Sequence, residues 1–139
     1  MRISICGSMF FSKEMLEVQK KLQALGFDVC VPTDTNECIE NPELNMALDY
    51  CMATDVDKKN FDQVAAADAI VVLNYPKNNI NGYVGGATLM EIGLARHLNK
   101  KIFLLHKIPP QEQLRYALEI EVARPIILNG DIERINEYL

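Results

Sequence analysis

The chain has no apolar run near the roughly 18 residues that a membrane span needs, no C-x-x-C pair and no cluster of basic residues. Each absence removes a class of function. Without a span, a membrane partner is not expected. The net charge of −5 and the scattered lysines and arginines argue against a nucleic-acid polymer or an anionic membrane surface. A small-molecule ligand fits better. Cys6 and Cys30 fall inside apolar strand-like runs, where cysteine acts as a small hydrophobe, and Cys38 and Cys51 complete no metal-ligand spacing. A reducing compartment, no zinc or other metal and no cofactor are therefore expected. No G-x-G-x-x-G follows the first strand, which sets aside a dinucleotide Rossmann site. Strand one ends in Ile5-Cys6-Gly7-Ser8 without the acidic pair of a receiver domain. The amino terminus enters a strand pattern with no basic segment and long apolar stretch before it, so a cytoplasmic protein is expected. Internal repeats, low-complexity tracts and linkers are also missing.

What remains is a chain of 139 residues, 49% hydrophobic, of a size for one domain over residues 1–139. Arg2 to Cys6 reads as a strand, and Gly7-Ser8 turns into a helix from about Phe11 to Leu25 that Gly26 stops. Phe27 to Val31 reads as the second strand. Pro32 to Asn41 is too turn-rich to be regular, whereas 43–53 and 55–67 are plausible helices. Ala69 to Leu73 gives the third strand, and the loop to Gly82, with Pro76, Asn78, Asn79 and Asn81, reads as exposed and mobile. A helix from Gly86 to Leu98, a strand from Ile102 to His106, a helix near 111–118, a strand from Pro125 to Leu128 and a short terminal helix complete the pattern. Alternation of this kind implies an α/β fold: a flavodoxin-like, doubly wound, five-stranded parallel sheet in three α/β/α layers, with strand order 2-1-3-4-5. That order makes strands one and three neighbours at the switch point, so the Gly7-Ser8 turn and the Gly82–Thr88 loop flank one crevice.

Glu91 stands out, a carboxylate behind a glycine-rich helix start with Met90, Ile92 and Leu94 around it. Its bland role is to neutralise the first helical turn. Its chemical role is that of a nucleophile at a sugar carbon, because cleavage of an N-glycosidic bond passes through an oxocarbenium-like state that a nearby carboxylate stabilises or traps. A second acid would protonate the departing base. Candidates are Asp34, Asp55, Asp57, Asp62 and Asp68. Asp57, at the start of a helix whose first turn stays near the catalytic edge, is preferred; Asp68 precedes strand three and lies at the wrong end of the sheet. Backbone amides of Gly7, Ser8, Gly85, Gly86 and Thr88 could cradle a phosphate or sugar hydroxyls. Phe10 and Tyr83 are placed to stack on a base, while Phe11 reads as core. His97 and His106 have no partners for a triad.

Three stretches carry a family resemblance: Cys6-Gly7-Ser8-Met9-Phe10-Phe11, Val64 through Val72, and Gly85 through Ala95. Over about residues 2–106 the chain resembles the nucleoside 2-deoxyribosyltransferase-like superfamily, which includes nucleoside 5′-monophosphate N-glycosidases. The resemblance implies a flavodoxin-like fold, a dimer or higher homo-oligomer, a nucleoside or nucleotide substrate, and Glu91 as nucleophile on C1′, in a transferase or a hydrolase. Where the family has an aspartate that handles the nucleobase, this chain has Asn60. An amide hydrogen-bonds a base but supplies no acidic proton, so Asp57 would substitute, or the protein would be a non-catalytic nucleotide-binding or sensing module. Gly85 to Glu91 also resembles the P-G-G-x-G-T-x-x-E signature of lysine-decarboxylase-like phosphoribohydrolases, with Val84 in the proline position and no glycine before Thr88. That family too implies a sugar-handling glutamate.

Overall fold

The computed structural model describes all 139 residues. Five strands, β1 (Arg2–Cys6), β2 (Asp28–Cys30), β3 (Ala69–Val72), β4 (Lys101–Leu104) and β5 (Ile126–Ile127), form one sheet in the order β2-β1-β3-β4-β5. Every pairing is parallel. The expected 2-1-3-4-5 order is thus what the chain adopts. Six α-helices connect the strands: α1 (Ser12–Ala24), α2 (Thr35–Glu40), α3 (Leu48–Thr54), α4 (Val56–Ala66), α5 (Gly86–His97) and α6 (Ala117–Val122).

Strand β3 shows why the sheet is covered on both sides. Its four residues are each fully buried, and alternate side chains go to opposite faces. Ala69 and Val71 join Ile3, Ile5 and Phe103 beneath Met15, Val18 and Leu22 of α1. Ile70 and Val72 join Cys6 and Leu104 beneath Val64 of α4, Ile92 and Ala95 of α5 and Ile120 of α6. Full burial of such an aliphatic side chain contributes about 1.5–3 kcal/mol, so these two layers fix the sheet order.

Several boundaries differ from the sequence reading. Pro32 to Asn41 was expected to be irregular, yet it contains α2. Its first turn is set by Pro32, whose carbonyl accepts from Thr35 N at 3.1 Å and Thr35 Oγ1 at 2.5 Å, and buried Cys38 anchors it. A six-residue helix is too short for periodicity to reveal. The helix expected near 111–118 starts later, at Ala117, because the chain first closes a turn on Pro110, whose carbonyl accepts from Gln113 N and Leu114 N. Residues 43–53 divide into a 3-10 turn, Leu44–Met46, and α3; Asp55, at φ +50°, separates α3 from α4.

The loop between β3 and α5 was read as mobile, and its construction is specific. Asn78 and Asn79, both at positive φ, make a tight turn in which Lys77 N donates to the Ile80 carbonyl at 3.1 Å and Ile80 N to the Lys77 carbonyl at 2.9 Å. Asn74, fully buried, ties the base of the loop to β4's end: Nδ2 donates to the His106 carbonyl at 2.9 Å, and Oδ1 accepts from His106 N at 2.8 Å. Gly82 has φ +80°, and a Cβ there would lie 2.2 Å from the Lys107 carbonyl oxygen, so glycine is required.

Candidate active site

The carboxyl ends of β1, β2 and β3 carry the residues of interest. Gly7 follows β1 at φ +152°, packed so closely that a Cβ would meet the Leu73 carbonyl at 3.2 Å. Ser8 then caps the 3-10 turn Met9–Phe11, accepting from Phe10 N at 3.3 Å. Phe11 is buried, as its sequence context suggested, and Phe10 is 66% exposed at the rim.

Glu91 is the sixth residue of α5, beyond the first turn, which contains no acidic residue. Neutralising the helix start is therefore not its role. Helical side chains lean back towards the N-terminus, so Glu91 reaches the edge where β1 and β3 end. It is 8% exposed. Burial, the largest influence, pushes its carboxyl up to about 7; a hydrogen bond from the Cys6 thiol opposes this, and the nearby charge of Asp34 adds to the rise. Cys6 is itself pushed up, by its own burial first and by the charge of Glu91 second, so it stays a neutral thiol donor. Of the apolar neighbours expected around Glu91, Ile92 is buried, Leu94 is half-buried, and Met90 is 55% exposed on the outer side of α5.

The glycine-rich start behaves unevenly. Gly85 is the N-cap residue of α5 in an extended conformation, Gly86 has open space where a Cβ would stand, and Thr88 is buried in the first turn. Gly93 likewise faces open space on the exposed side of the helix and makes no close approach. Tyr83, half-buried, stands before this start.

Lys77 was not singled out in the sequence. The Asn78-Asn79 turn carries its ammonium back over the β1 loop, where Nζ donates to Ser8 Oγ at 2.9 Å. The same nitrogen lies 5.7 Å from the Phe10 ring centroid and 5.6 Å from that of Tyr83. Ser8, Phe10 and Tyr83 are thus brought together around one cation. The Asn-Asn pair was the available signal, since it marks a tight turn that returns the chain.

On the β2 side, Asn60 of α4 accepts through Oδ1 from Thr33 N at 2.9 Å and Thr33 Oγ1 at 3.2 Å, so its carbonyl is occupied in holding the loop after β2. Asp57 is exposed on the first turn of α4 and forms no hydrogen bond with a site residue. Asp68, at the opposite end of the sheet, accepts from Arg2 N at 2.7 Å, in keeping with its expected position. Asp34 lies directly after Thr33 and is 5% exposed. Its Oδ2 accepts from the Cys38 thiol at 3.4 Å, while Oδ1 is buried with no partner. Such an orphaned acceptor costs about 1–3 kcal/mol, and more when charged. Asp34 also lines a cavity of about 220 Å³ with Glu37, Tyr50, Thr54 and Lys59. A larger cavity, about 640 Å³, lies beyond Gly82 against His106, Lys107 and Pro109, away from Glu91.

Three solved structures with this architecture are an N-glycosidase and two 2-deoxyribosyltransferases. The CMP N-glycosidase BcmB of Clostridium botulinum superposes over 100% of both chains with a TM-score of 0.55 and 20% identity. A 2-deoxyribosyltransferase of Bacillus psychrosaccharolyticus matches 100% of this chain and 93% of its own, with a TM-score of 0.64 and 18% identity. A 2-deoxyribosyltransferase of Leishmania mexicana matches 99% of each chain, with a TM-score of 0.61 and 19% identity. The protein therefore has the nucleoside 2-deoxyribosyltransferase-like fold. No family model matches the sequence, and no curated protein does. No helix is long and apolar enough to cross a membrane.

Proposed function

We propose that the protein acts on the N-glycosidic bond of a nucleoside or nucleotide, transferring the sugar to another base or to water, with Glu91 as the nucleophile. The observation that carries this reading is a glutamate buried at the switch point of this fold and pushed up to about 7 by that burial. In its ionised form Glu91 attacks C1′; the C1′–N bond breaks, and its electron pair leaves with the base, which takes a proton from solvent water. A water or a second base then attacks C1′ of the Glu91 ester, the C1′–O bond to Glu91 breaks to regenerate the carboxylate, and the attacking group gives up its proton to solvent. The Cys6 thiol favours the charged form of the carboxylate, and Phe10 and Tyr83 offer faces for stacking. The amides of Gly7, Ser8, Gly85, Gly86 and Thr88 are the donors offered to sugar or phosphate oxygens, and Lys77 brings a positive charge to Ser8. An N-glycosidase and two deoxyribosyltransferases among the structural neighbours support this class of chemistry.

A sensing module that binds the same ligand without cleaving it is the second reading. Asn60 favours it, because this amide supplies no acidic proton and its carbonyl is engaged with Thr33. Base release by the wild type and by Glu91→Gln, assayed over a panel of nucleosides and monophosphates, separates the two. Release by the wild type that falls at least about 1,000-fold in the variant supports the enzyme. Equal release by both removes Glu91 as nucleophile, and binding without release selects the sensor.

A further inference from the structure

We infer that the outer groove between α5 and α6 is a self-association surface, on which a second copy of this chain docks across a two-fold axis and pairs Arg96 of each copy with Glu119 of the other. Glu91 is not part of the groove lining, so the inference stands independently of what the crevice does.

The helical spacing builds the surface. Leu89, Ile92, Gly93 and Arg96 of α5 recur at the interval of one helix face, and Glu119 and Val122 of α6, with Ala123 just beyond it, form the facing stripe. Together they line a groove of about 300 Å³. Ile92 and Ala123 are buried and make its floor, continuous with the core layer beneath the helices. Gly93 has open space where a Cβ would stand, so nothing from this chain fills the groove above it. Val122 is 62% exposed; Met90, three residues before Gly93, and Leu118, four before Val122, extend the two stripes outward at 55% and 54%. Exposed apolar residues scattered singly need no partner, but three large ones around one apolar groove mark a surface that is covered.

The charges select the occupant. Arg96 stands on one wall and Glu119 on the other, and both are exposed. The ion pairs within the chain are Arg2–Asp28, Lys58–Asp62 and Arg134–Glu137, so Arg96 and Glu119 are each left without one. A groove that receives a basic or an acidic segment of another protein carries charge of one sign. This one carries both, one to each wall. A two-fold operation sets each charge opposite its complement, because residue i of one copy meets residue j of the other and j meets i. The apolar stripes then cover one another, and the two reciprocal ion pairs fix their register, since charges at the edge of an interface reject mispaired arrangements more than they add affinity.

The test is sedimentation velocity over a dilution series of the full chain. Arg96, Glu119 and Val122 are all exposed, and thermal midpoints confirm that each variant folds. The wild type should sediment at twice the chain mass of 15.7 kDa. Arg96→Glu and Glu119→Arg should each weaken the dimer at least about tenfold, since either one sets like charges opposite each other at both pairs. An equimolar mixture of the two variants should recover the wild-type affinity to within about threefold, as should the double variant, because both combinations restore opposite charges at both pairs. Val122→Asp should weaken the dimer in every background. A wild-type chain that stays monomeric at ~100 µM overturns the inference. So does a dimer that Val122→Asp and both reversals leave intact, which would place the contact on another face. Weakening by each reversal without recovery in the mixture overturns it as well, because the groove would then receive a different face of the neighbouring copy, head to tail and with no two-fold axis.

Discussion

Lys77 and Ser8, 69 residues apart in the chain, meet at 2.9 Å through Nζ and Oγ. The contact places the one cation beside the β1 turn where an anionic group of the substrate would lie, and its half-exposed setting gives it modest value to stability. Lys77→Met should leave the thermal midpoint nearly unchanged and raise KM for a nucleoside 5′-monophosphate about tenfold, with less than about a twofold effect on the parent nucleoside. Steady-state kinetics on one such pair measures this. An equal loss on both members would mean that Lys77 orders the loop and does not meet phosphate.

The pH profile of base release follows from Glu91. As a nucleophile it must be ionised, so kcat/KM should climb with pH through about 7 and level off above. Cys6→Ala removes the hydrogen bond that favours the charged form and should move this limb to higher pH. Asp34→Asn removes the negative neighbour and should move it lower. A limb that both variants leave in place would show that another group controls it.

The same carboxyl affects stability in a direction opposite to that of most acids. Its folded-state value lies above the ordinary 4.5, so the folded protein binds the extra proton between 4.5 and about 7. Stability is therefore highest below this window, declines as pH rises through it by on the order of 3 kcal/mol, and is level above. Glu91→Gln, neutral throughout, should be more stable than the wild type at pH 8, with the advantage gone near pH 4.5. Denaturant melts at the two pH values would show it; a variant less stable at pH 8 would contradict the buried placement.

Asn60→Ala deletes the acceptor that holds Thr33 N and Oγ1. A cost of about 1 kcal/mol is expected from chemical unfolding, with Asn60→Asp near wild type because a carboxylate oxygen accepts the same bonds. Since Thr33 lies in the loop after β2, at the carboxyl edge of the sheet, substrate binding should weaken in Asn60→Ala and persist in Asn60→Asp.

Gly82→Ala places a methyl group 2.2 Å from the Lys107 carbonyl at a φ of +80°. The backbone has no side chain to push aside there, so a loss of roughly 2–4 kcal/mol should be seen in thermal unfolding. Gly93→Ala, facing open space in α5, should be neutral or stabilising by up to about 1 kcal/mol.

Much of the architecture was legible in the sequence because it rests on local patterns. Apolar runs such as Ala69 to Leu73 and helical spacing in α1 gave the elements, and the right-handed crossover rule left the order 2-1-3-4-5 as the simplest arrangement. From that order alone the Gly7-Ser8 turn and the start of α5 fall at one switch point, which brought Ser8, Tyr83 and Glu91 forward as candidates. The limits were equally physical. Helix α2 is too short for periodicity to show, and its first turn depends on the Pro32 carbonyl and on burial of Cys38.

What the sequence by itself determined is therefore the sheet, its order and a glutamate at the carboxyl edge of its strands, since hydrophobic periodicity and chain handedness act over neighbouring residues. Only the tertiary structure decided the company that Glu91 keeps. Burial and the thiol of Cys6 set its proton affinity, a two-asparagine turn folds Lys77 back on to Ser8, and Asn60 of α4 steadies the loop that leaves Asp34 buried with one oxygen free. These are long-range meetings of side chains, and a burial or an unpaired oxygen exists only once the elements have packed.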